Sequence, residues 1–258
     1  MRVKLGSLGV AFSLLGLILV AFIAWPLIKT GISSRPGELW ETILDPEVRG
    51  AIGLTFYAAA IATGVGLVLG VPLAYILARH RFPGKALIQG LIDLPIVVPH
   101  TAAGIALLLV FGRQGFLGRA FEAVGVRFVS SLPGIVVAML FVSVPFLVNA
   151  AREGFSAVDE RLERAARTLG AGPWATFFQV ALPLAKRGIL SGAILMWARG
   201  LSEFGAVMIL AYHPMTAPVL LYQRFESYGL SYARPLVVWI LITTLAVFLA
   251  LRMVGRRG

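Results

Sequence analysis

The sequence predicts an all-α membrane protein with six transmembrane helices, from its composition and its pattern of long apolar segments. Hydrophobic residues make up 59% of the 258 positions, and the mean hydropathy is +0.88. Only 14% of the residues are charged, well below the roughly one quarter that is typical of globular proteins. A soluble domain of this length still needs a wet, charged exterior, so immersion in a bilayer best explains the composition.

Six apolar segments are long enough to cross roughly 30 Å of hydrocarbon, which takes about 20 helical residues. The first segment follows basic residues, so a cleaved signal peptide is the alternative for it. Its apolar run is longer than a signal core and no small-x-small site follows Trp25-Pro26, which favours a retained helix. The predicted spans are Leu8–Ile28, Ala51–Ala78, Leu87–Phe111, Leu132–Ala151, Gly188–Tyr212 and Pro235–Leu251.

The distribution of basic residues predicts that both chain ends are cytoplasmic. Most of the basic residues fall on one side of the predicted spans, whereas most of the outer acidic residues cluster between Glu38 and Glu47. By the positive-inside rule, the basic side is the cytoplasm. The net charge of +11 is therefore explained by topology and not by nucleic-acid binding. The cytoplasmic basic residues are Arg2, Lys4, Arg79, Arg81, Lys85, Arg152, Arg161, Arg164, Arg167, Lys186, Arg187, Arg252, Arg256 and Arg257.

The chain is expected to form a single transmembrane domain over residues 1–258, with a cytoplasmic loop at about 152–187. No room is left for a soluble domain beside six spans. The absence of cysteine excludes disulfides, thiolate metal sites, iron–sulfur clusters and cysteine nucleophiles. The chemistry of the chain must therefore be sought in its loops and in the ionisable residues of its spans.

The cytoplasmic loop carries the pattern of two short helices. Ser156 followed by Asp159 resembles a capping box, and Gly170 is a natural helix end, because glycine tolerates the left-handed conformation there. Pro173 can open a second helix, which Pro183 is expected to end. The first helix has an apolar stripe and the second an apolar face, formed by Leu162, Ala165, Ala166 and Leu169 and by Phe177, Phe178 and Leu182.

Two interpretations of this amphipathic loop are open on its local pattern. It could lie on lipid headgroups or fold against the helix bundle. Its spacing, however, resembles the signature of ABC importer permeases, in which E-A-A is followed by three residues, Gly, nine residues and Ile-x-Leu-Pro. The residues at the matching positions are Ala165, Ala166, Gly170, Val180, Leu182 and Pro183. The first position departs from the signature, since it holds Arg164, with Glu163 one residue early.

The resemblance implies a type I ABC importer permease that works as part of a larger assembly. In that family this loop forms the coupling helices that fit a groove of the ATPase. The chain has no G-x-x-x-x-G-K-[ST] phosphate loop, so ATP and Mg²⁺ are expected on a separate subunit and no cofactor on this chain. The implied partners are a second copy of the chain, two ABC ATPase subunits, an extracellular binding protein and membrane lipid.

The implied substrate comes from two further stretches, which resemble the oxyanion branch of these permeases. They are DLPIVVPHTAAGIALLLVFGRQGFLG, from Asp93 to Gly118, and WARGLSEFGAVMILAYHPMTAPVLLYQRF, from Trp197 to Phe225. Both are most similar to molybdate/tungstate permeases, and sulfate or thiosulfate import is the alternative. The outer loop Tyr212–Arg234 is a candidate docking surface for the substrate-binding protein.

Prolines and ionisable residues within the spans are the candidate pathway and gate residues. Pro95 and Pro99 are expected to kink or break the third span, as a packed bend or as part of the pathway lining. Arg199 and Glu203 are four residues apart, so they share a helix face and can pair. Charges at this depth are costly and mark functional sites by default. Arg199 is either half of a structural ion pair or a transient anion contact.

His100 and Asp93 lie on the third span with these prolines. His100 could donate a hydrogen bond to backbone groups that the prolines leave free, or could contact substrate. Asp93 is expected to be a helix cap or a salt-bridge partner. The glycine pairs Gly66-x-x-x-Gly70 and Gly188-x-x-x-Gly192 predict close helix approach, within one subunit or between two.

Two other classes of protein explain the sequence less well. An intramembrane enzyme could use Asp93, His100 or Glu203, but no metal-ligand cluster such as H-E-x-x-H and no nucleophile–base spacing is present. A secondary transporter would use broken helices and intramembrane charges. Such a transporter has no use for the loop around Gly170.

Overall fold

Helices and their connections make up the part of the chain that the computed structural model describes, residues 7–257, and no strand occurs there. Arg2 and Lys4, on which the predicted orientation partly depends, lie outside the described residues. The helices are α1 Ser7–Ile32, α2 Pro36–Leu44, α3 Pro46–Arg79, α4 Lys85–Val97, α5 His100–Phe111, α6 Phe116–Glu122, α7 Leu132–Ser156, α8 Glu160–Thr168, α9 Pro173–Thr176, α10 Leu182–Leu201, α11 Gly205–Leu210, α12 Ala217–Tyr228 and α13 Leu230–Arg257.

The predicted all-α membrane fold is confirmed. Among the described residues, five helices or helical runs are long and apolar enough to span a membrane. They are Leu8–Ile32, Pro46–Arg79, Leu132–Ser156, Pro173–Leu201 and Leu230–Leu249. The helices α4 and α5 form a sixth candidate, which is bent by 117° at the break between them.

The predicted fifth span, Gly188–Tyr212, is wrong at both ends. The helical run begins at Pro173, passes through a π-helical turn at Phe177–Ala181 and ends at Leu201. Three residues then leave the helix before α11 starts at Gly205. The carboxylate of Glu203 accepts the backbone N–H of Ala206 at 2.9 Å, so a side chain stabilises the start of α11 that hydropathy alone cannot reveal.

The helix α7 is the centre of the bundle, with α3 and α10 packed against it. A Cβ added at Gly188 would lie 2.7 Å from the Cα of Gly154, and one at Gly192 would lie 3.0 Å from the carbonyl oxygen of Leu147. The backbones of α7 and α10 therefore touch, as small residues allow in membranes. The close approach predicted from this glycine pair is confirmed, and it occurs within one subunit.

The helix α1 differs from the rest of the bundle, because its apolar side chains are exposed on all sides. It packs against α13, and none of its apolar stretch is buried within the subunit. Large side chains such as Phe12, Phe22 and Trp25 are exposed. A helix that is apolar all round but unburied suits contact with lipid or with another membrane helix.

Candidate functional site

The coupling-loop candidate begins with α8, whose first turn is capped by a carboxylate. Asp159 is the N-cap, and its Oδ1 accepts the backbone N–H of Arg161 at 2.9 Å. The predicted cap at Ser156 is wrong, because Ser156 is still the last residue of α7. The predicted stop at Gly170 is confirmed: its φ is +92°, and the N–H of Ala171 donates to the carbonyl of Ala166 at 3.0 Å.

The second half of the loop is continuous with a membrane span. Pro173 opens α9 as predicted, since a proline in the first turn loses no helical hydrogen bond. Pro183 was expected to end the helix, but the helix runs through it into α10. The π-helical turn Phe177–Ala181, whose backbone hydrogen bonds span five residues in place of four, ends just before Leu182. Pro183 therefore lies in the first turn of the next α-helical stretch. The loop and the span are thus one helical run.

Glu163 joins α8 to the C-terminal end of α3. Its carboxylate is buried and accepts the hydroxyl of Tyr75 at 2.7 Å and the Nε–H of Arg79 at 2.7 Å. Arg79 also donates to the carbonyl of Val158 at 3.1 Å, just before α8. The glutamate that is one residue early in the signature therefore turns inward to its own subunit. The sequence does not reveal that Tyr75 and Arg79 pair with Glu163, because they lie more than 80 positions away.

Several large apolar side chains of the loop are exposed. Leu169 and Trp174 are 89% and 77% exposed, and Leu162 and Phe178 are also exposed. The predicted stripe exists, but its leucines point away from the subunit. Ala165 and Arg164 lie on the exposed side, and Ala166, Val180 and Leu182 are half-buried. Pro183 is exposed. A surface of this kind can bind an apolar partner surface.

The second candidate site is formed where two helices are interrupted inside the bundle. The break between α4 and α5 falls at Val98 and Pro99, since Pro99 is the N-cap of α5. Pro95 does not break the helix: it lies buried in α4, near its end. His100 is the first residue of α5, and an added Cβ at Gly205 would lie 2.9 Å from the Cβ of His100. The two breaks therefore meet.

Three ionisable side chains converge at this meeting point. The Nη2 of Arg199 lies 3.1 Å from Oε2 of Glu203, and the Nδ1 of His100 lies 2.8 Å from the same oxygen. Arg199 and His100 also contact each other at 2.8 Å, and Nη1 of Arg199 donates to the hydroxyl of Ser202 at 3.2 Å. The predicted pair is confirmed, but not on one helix face, because Glu203 lies beyond the end of α10.

Asp93 is held by a neutral partner, not by a cap or a salt bridge. Its Oδ1 accepts the side-chain amide of Asn149 on α7 at 2.6 Å. Asp93 therefore links α4 to the central helix. Across residues 7–257, no group of three or more His, Asp or Glu side chains is placed to hold a metal ion.

An ion cluster joins α12 to the junction between α2 and α3. Arg224, on α12, is buried, and its Nη2 contacts Oδ2 of Asp45 at 2.5 Å and Oε2 of Glu47 at 3.0 Å. Burial alone would raise the pKa of Asp45, but the hydrogen bond and charge of Arg224 and the N–H of Glu47 outweigh it, so this pKa is lowered. Tyr232 packs against the guanidinium at 5.4 Å from its ring centre. A cavity of about 320 Å³ opens beside this cluster and is lined by further acidic residues, Glu38 and Glu41.

Comparison with known proteins agrees with this architecture. A family described as "Binding-protein-dependent transport system inner membrane component" matches residues 66–257. The molybdate/tungstate transport system permease protein of Pyrococcus furiosus is 46% identical over 253 residues, which cover 97% of this chain and 96% of the relative. A probable sulfate transport system permease protein of Chlorokybus atmophyticus is 35% identical over 82% of this chain and 75% of its own length. Among solved structures, a bacterial ABC transporter that imports alginate has a chain with a TM-score of 0.72, 16% identity and 95% coverage of both chains.

Proposed function

This chain belongs to the family of binding-protein-dependent transport system inner membrane components, and from that premise we propose that it forms the membrane pathway of an ABC importer for molybdate or tungstate. The choice of anion follows the relatives. The Pyrococcus furiosus protein named for molybdate and tungstate is more similar, and over more of the chain, than the Chlorokybus protein named for sulfate. Sulfate or thiosulfate is the alternative cargo.

The observation that carries the importer mechanism is the exposed apolar face of α8 and α9. Leu169 and Trp174 are exposed in a loop that Glu163 fixes to α3. We infer that an ABC ATPase subunit covers this face and supplies the binding of ATP and Mg²⁺. No covalent step is assigned to the membrane chain itself. A loop that is held to α3 by a buried contact and exposes apolar side chains to a partner can transmit the partner's movement.

The route of transmission is the helical run Pro173–Leu201. Its 29 residues extend about 43 Å at 1.5 Å per residue, from the proposed docking face to the intramembrane cluster at Arg199. Because Pro183 does not interrupt this run, a displacement of α9 is passed along one rod. Closure of the ATPase pair is expected to move α9 and to shift the pathway between inward and outward states.

The assembly is proposed to be a homodimer, and the single domain 1–258 to place both chain ends in the cytoplasm. Symmetric pairing is the commonest arrangement of identical subunits, and two copies would present two coupling loops to two ATPase subunits. An extracellular binding protein would deliver the anion at the outer side, near the Arg224 cluster. The basic residues near α8 and the acidic residues of α2 support this orientation.

Reconstitution with partner subunits tests the proposal. The chain is co-expressed with the ATPase encoded beside it, placed in lipid nanodiscs, and mixed with binding protein loaded with tungstate, molybdate or sulfate. ATP hydrolysis is expected to be stimulated by binding protein loaded with tungstate or molybdate. Stimulation by sulfate alone would mean that the transported anion is sulfate. Failure of the ATPase to associate at all would overturn the assignment of residues 152–187 as the coupling loop.

A further inference from the structure

The cluster of His100, Arg199, Ser202 and Glu203, called the break site below, lies at the meeting of two interrupted helices. Gly200, next to Arg199, packs beside Met139 of α7, seven residues from the outer end of that helix. At 1.5 Å per residue this places the break site about 10 Å below that end. Interrupted helices at membrane depth occur where backbone is buried in protein or lines a water-filled cavity.

The accessibility of the three charged groups is unequal. The side chain of Glu203 is fully buried, whereas those of Arg199 and His100 are 23% and 33% exposed. The carboxylate therefore lies behind the nitrogen donors, which face accessible space. An arginine partly exposed at this depth cannot face hydrocarbon without a large free-energy cost, so its open side must meet water or another subunit.

The donor set at this open side suits one kind of ligand. A guanidinium presents several N–H groups in a plane and matches the oxygen atoms of an anion. His100 and the hydroxyl of Ser202 stand next to it, within 2.8 Å and 3.2 Å of the guanidinium nitrogens. Glu203 cannot leave its position easily, because its second oxygen accepts the N–H of Ala206. It can act as a fixed negative charge.

We propose that the break site is a transient binding site for the transported tetrahedral oxyanion, in which Glu203 is an internal counter-charge that the anion competes with. When no anion is present, Glu203 neutralises Arg199. An arriving oxyanion accepts hydrogen bonds from Arg199, His100 and Ser202, and repulsion from Glu203 keeps its dwell time short. This inference rests on the proposed function, since it names where the imported anion is bound in passage.

The alternative is that Arg199 and Glu203 are only a structural ion pair. The two roles differ in what happens when both charges are removed together. Removing one partner of a buried pair leaves an uncompensated charge, but removing both often leaves the fold intact. If the pair is purely structural, the double substitution Arg199→Gln with Glu203→Gln therefore leaves the fold and its function intact. If the pair is an anion site, the same double substitution abolishes anion binding, which needs the charge of Arg199.

The test measures binding of radiolabelled molybdate by the full importer in nanodiscs and its uptake by the same importer in proteoliposomes. The variants are Arg199→Gln/Glu203→Gln and Glu203→Gln. The control is Arg127→Gln/Glu122→Gln, which neutralises an exposed pair 3.3 Å apart on the outer side. Assembly is read from co-purification with the ATPase, and import from uptake into proteoliposomes. We expect the double variant at the break site to assemble but to lose uptake by about tenfold or more, the scale of one strong charge-assisted contact.

The single variant provides a second measurement that does not depend on import. Glu203→Gln removes the competing charge, so molybdate bound to the complex without binding protein is expected to dissociate about tenfold more slowly than in the unmodified chain. Uptake by the double variant within twofold of the unmodified chain would overturn the proposal. So would loss of assembly in the double variant, or unchanged dissociation in Glu203→Gln.

These outcomes are separate from failure of the proposed function. If the unmodified importer carries no molybdate, tungstate or sulfate, the function itself is wrong, whatever the variants do. If the unmodified importer carries one of these anions and the double variant carries it equally well, only the break site is wrong.

Discussion

The buried ion pair between Glu163 and Arg79 allows a sharp test of how the proposed coupling loop is held. The substitution Glu163→Gln leaves the guanidinium of Arg79 without its carboxylate, although the side chains of the pair are only 6% and 7% exposed. Glutamine can still accept the hydroxyl of Tyr75, which lies 2.7 Å from the carboxylate. We expect α8 to detach from α3 far more often in this variant.

The free-energy cost of Glu163→Gln follows from the burial of the pair. Breaking a buried ion pair by removing one partner costs about 3–5 kcal/mol. The lower end applies here, because the pair lies at helix ends and one hydrogen bond survives in the variant. A cost of about 3 kcal/mol increases the population of the detached loop by about a hundredfold, since each 1.36 kcal/mol is a factor of ten.

The absence of cysteine makes the assay direct. A single cysteine introduced by Thr168→Cys, at the exposed last residue of α8, carries a spin label without any background label. The label in the Glu163→Gln variant is expected to be more mobile than in the otherwise unmodified chain. The control is Glu160→Gln, an exposed carboxylate on the same helix, which should change stability by no more than about 0.5 kcal/mol.

Two results would refute this reasoning. Unchanged label mobility in Glu163→Gln would mean that the pair does not hold α8. Equal mobility in the Glu160→Gln control would mean that any lost negative charge, and not the buried contact, loosens the helix. In the assembled importer, the same Glu163→Gln variant should reduce ATP hydrolysis stimulated by the loaded binding protein, because a detached loop transmits no movement.

Three further predictions concern packing, docking and pH. Gly188→Leu should lower the thermal midpoint strongly and prevent assembly, since a Cβ there would lie 2.7 Å from backbone of α7 and overpacking costs about 1–3 kcal/mol or more. Leu169→Asp should weaken association with the ATPase, measured by co-purification, because it charges the most exposed leucine of the apolar face. Asp45 has a pKa in the fold below its ordinary value of about 3.8. Its stabilising contact with Arg224 should therefore persist from neutral to mildly acidic pH and be lost only as the pH falls below about 3.8. Comparing the thermal midpoints of Asp45→Asn and the unmodified chain across pH checks this sign.

Each of the three has a control or a result that would contradict it. Gly64→Ala, where an added Cβ meets nothing within 4 Å, should leave the thermal midpoint nearly unchanged, and an equal loss would contradict the packing argument. Leu169→Asp should leave the thermal midpoint of the isolated chain nearly unchanged, since the side chain is 89% exposed. A difference between Asp45→Asn and the unmodified chain that disappears already at pH 6 would contradict the lowered pKa.

The helical membrane fold could be predicted from sequence because hydrocarbon imposes a local rule. A span needs about 20 apolar residues with their backbone hydrogen bonds satisfied within the helix. A span such as Leu132–Ser156 can therefore be predicted from composition alone. The stop at Gly170 and the start at Pro173 were also predictable, because both follow from backbone conformations that single residues prefer.

Two of the errors come from local backbone features that hydropathy and single-residue preferences do not reveal. Pro183 was taken as a helix end because proline lacks an N–H, but the π-helical turn before it accommodates the residue. The fifth span was drawn through Glu203, where the carboxylate in fact stabilises a new helix start by accepting the N–H of Ala206. Hydropathy does not distinguish a continuous span from two helices in contact.

The sequence by itself therefore determined the helical membrane fold and the family spacing that the loop at 152–187 carries, and it predicts that this loop is cytoplasmic. Only the tertiary structure decided that Glu163 turns inward to Arg79, so that the apolar side of the loop is left exposed. Only the tertiary structure brought His100 to Arg199 and Glu203, across 99 positions of chain. The physical reason is that helix formation and membrane insertion depend on neighbouring residues, whereas the placement of charges depends on which helices pack together.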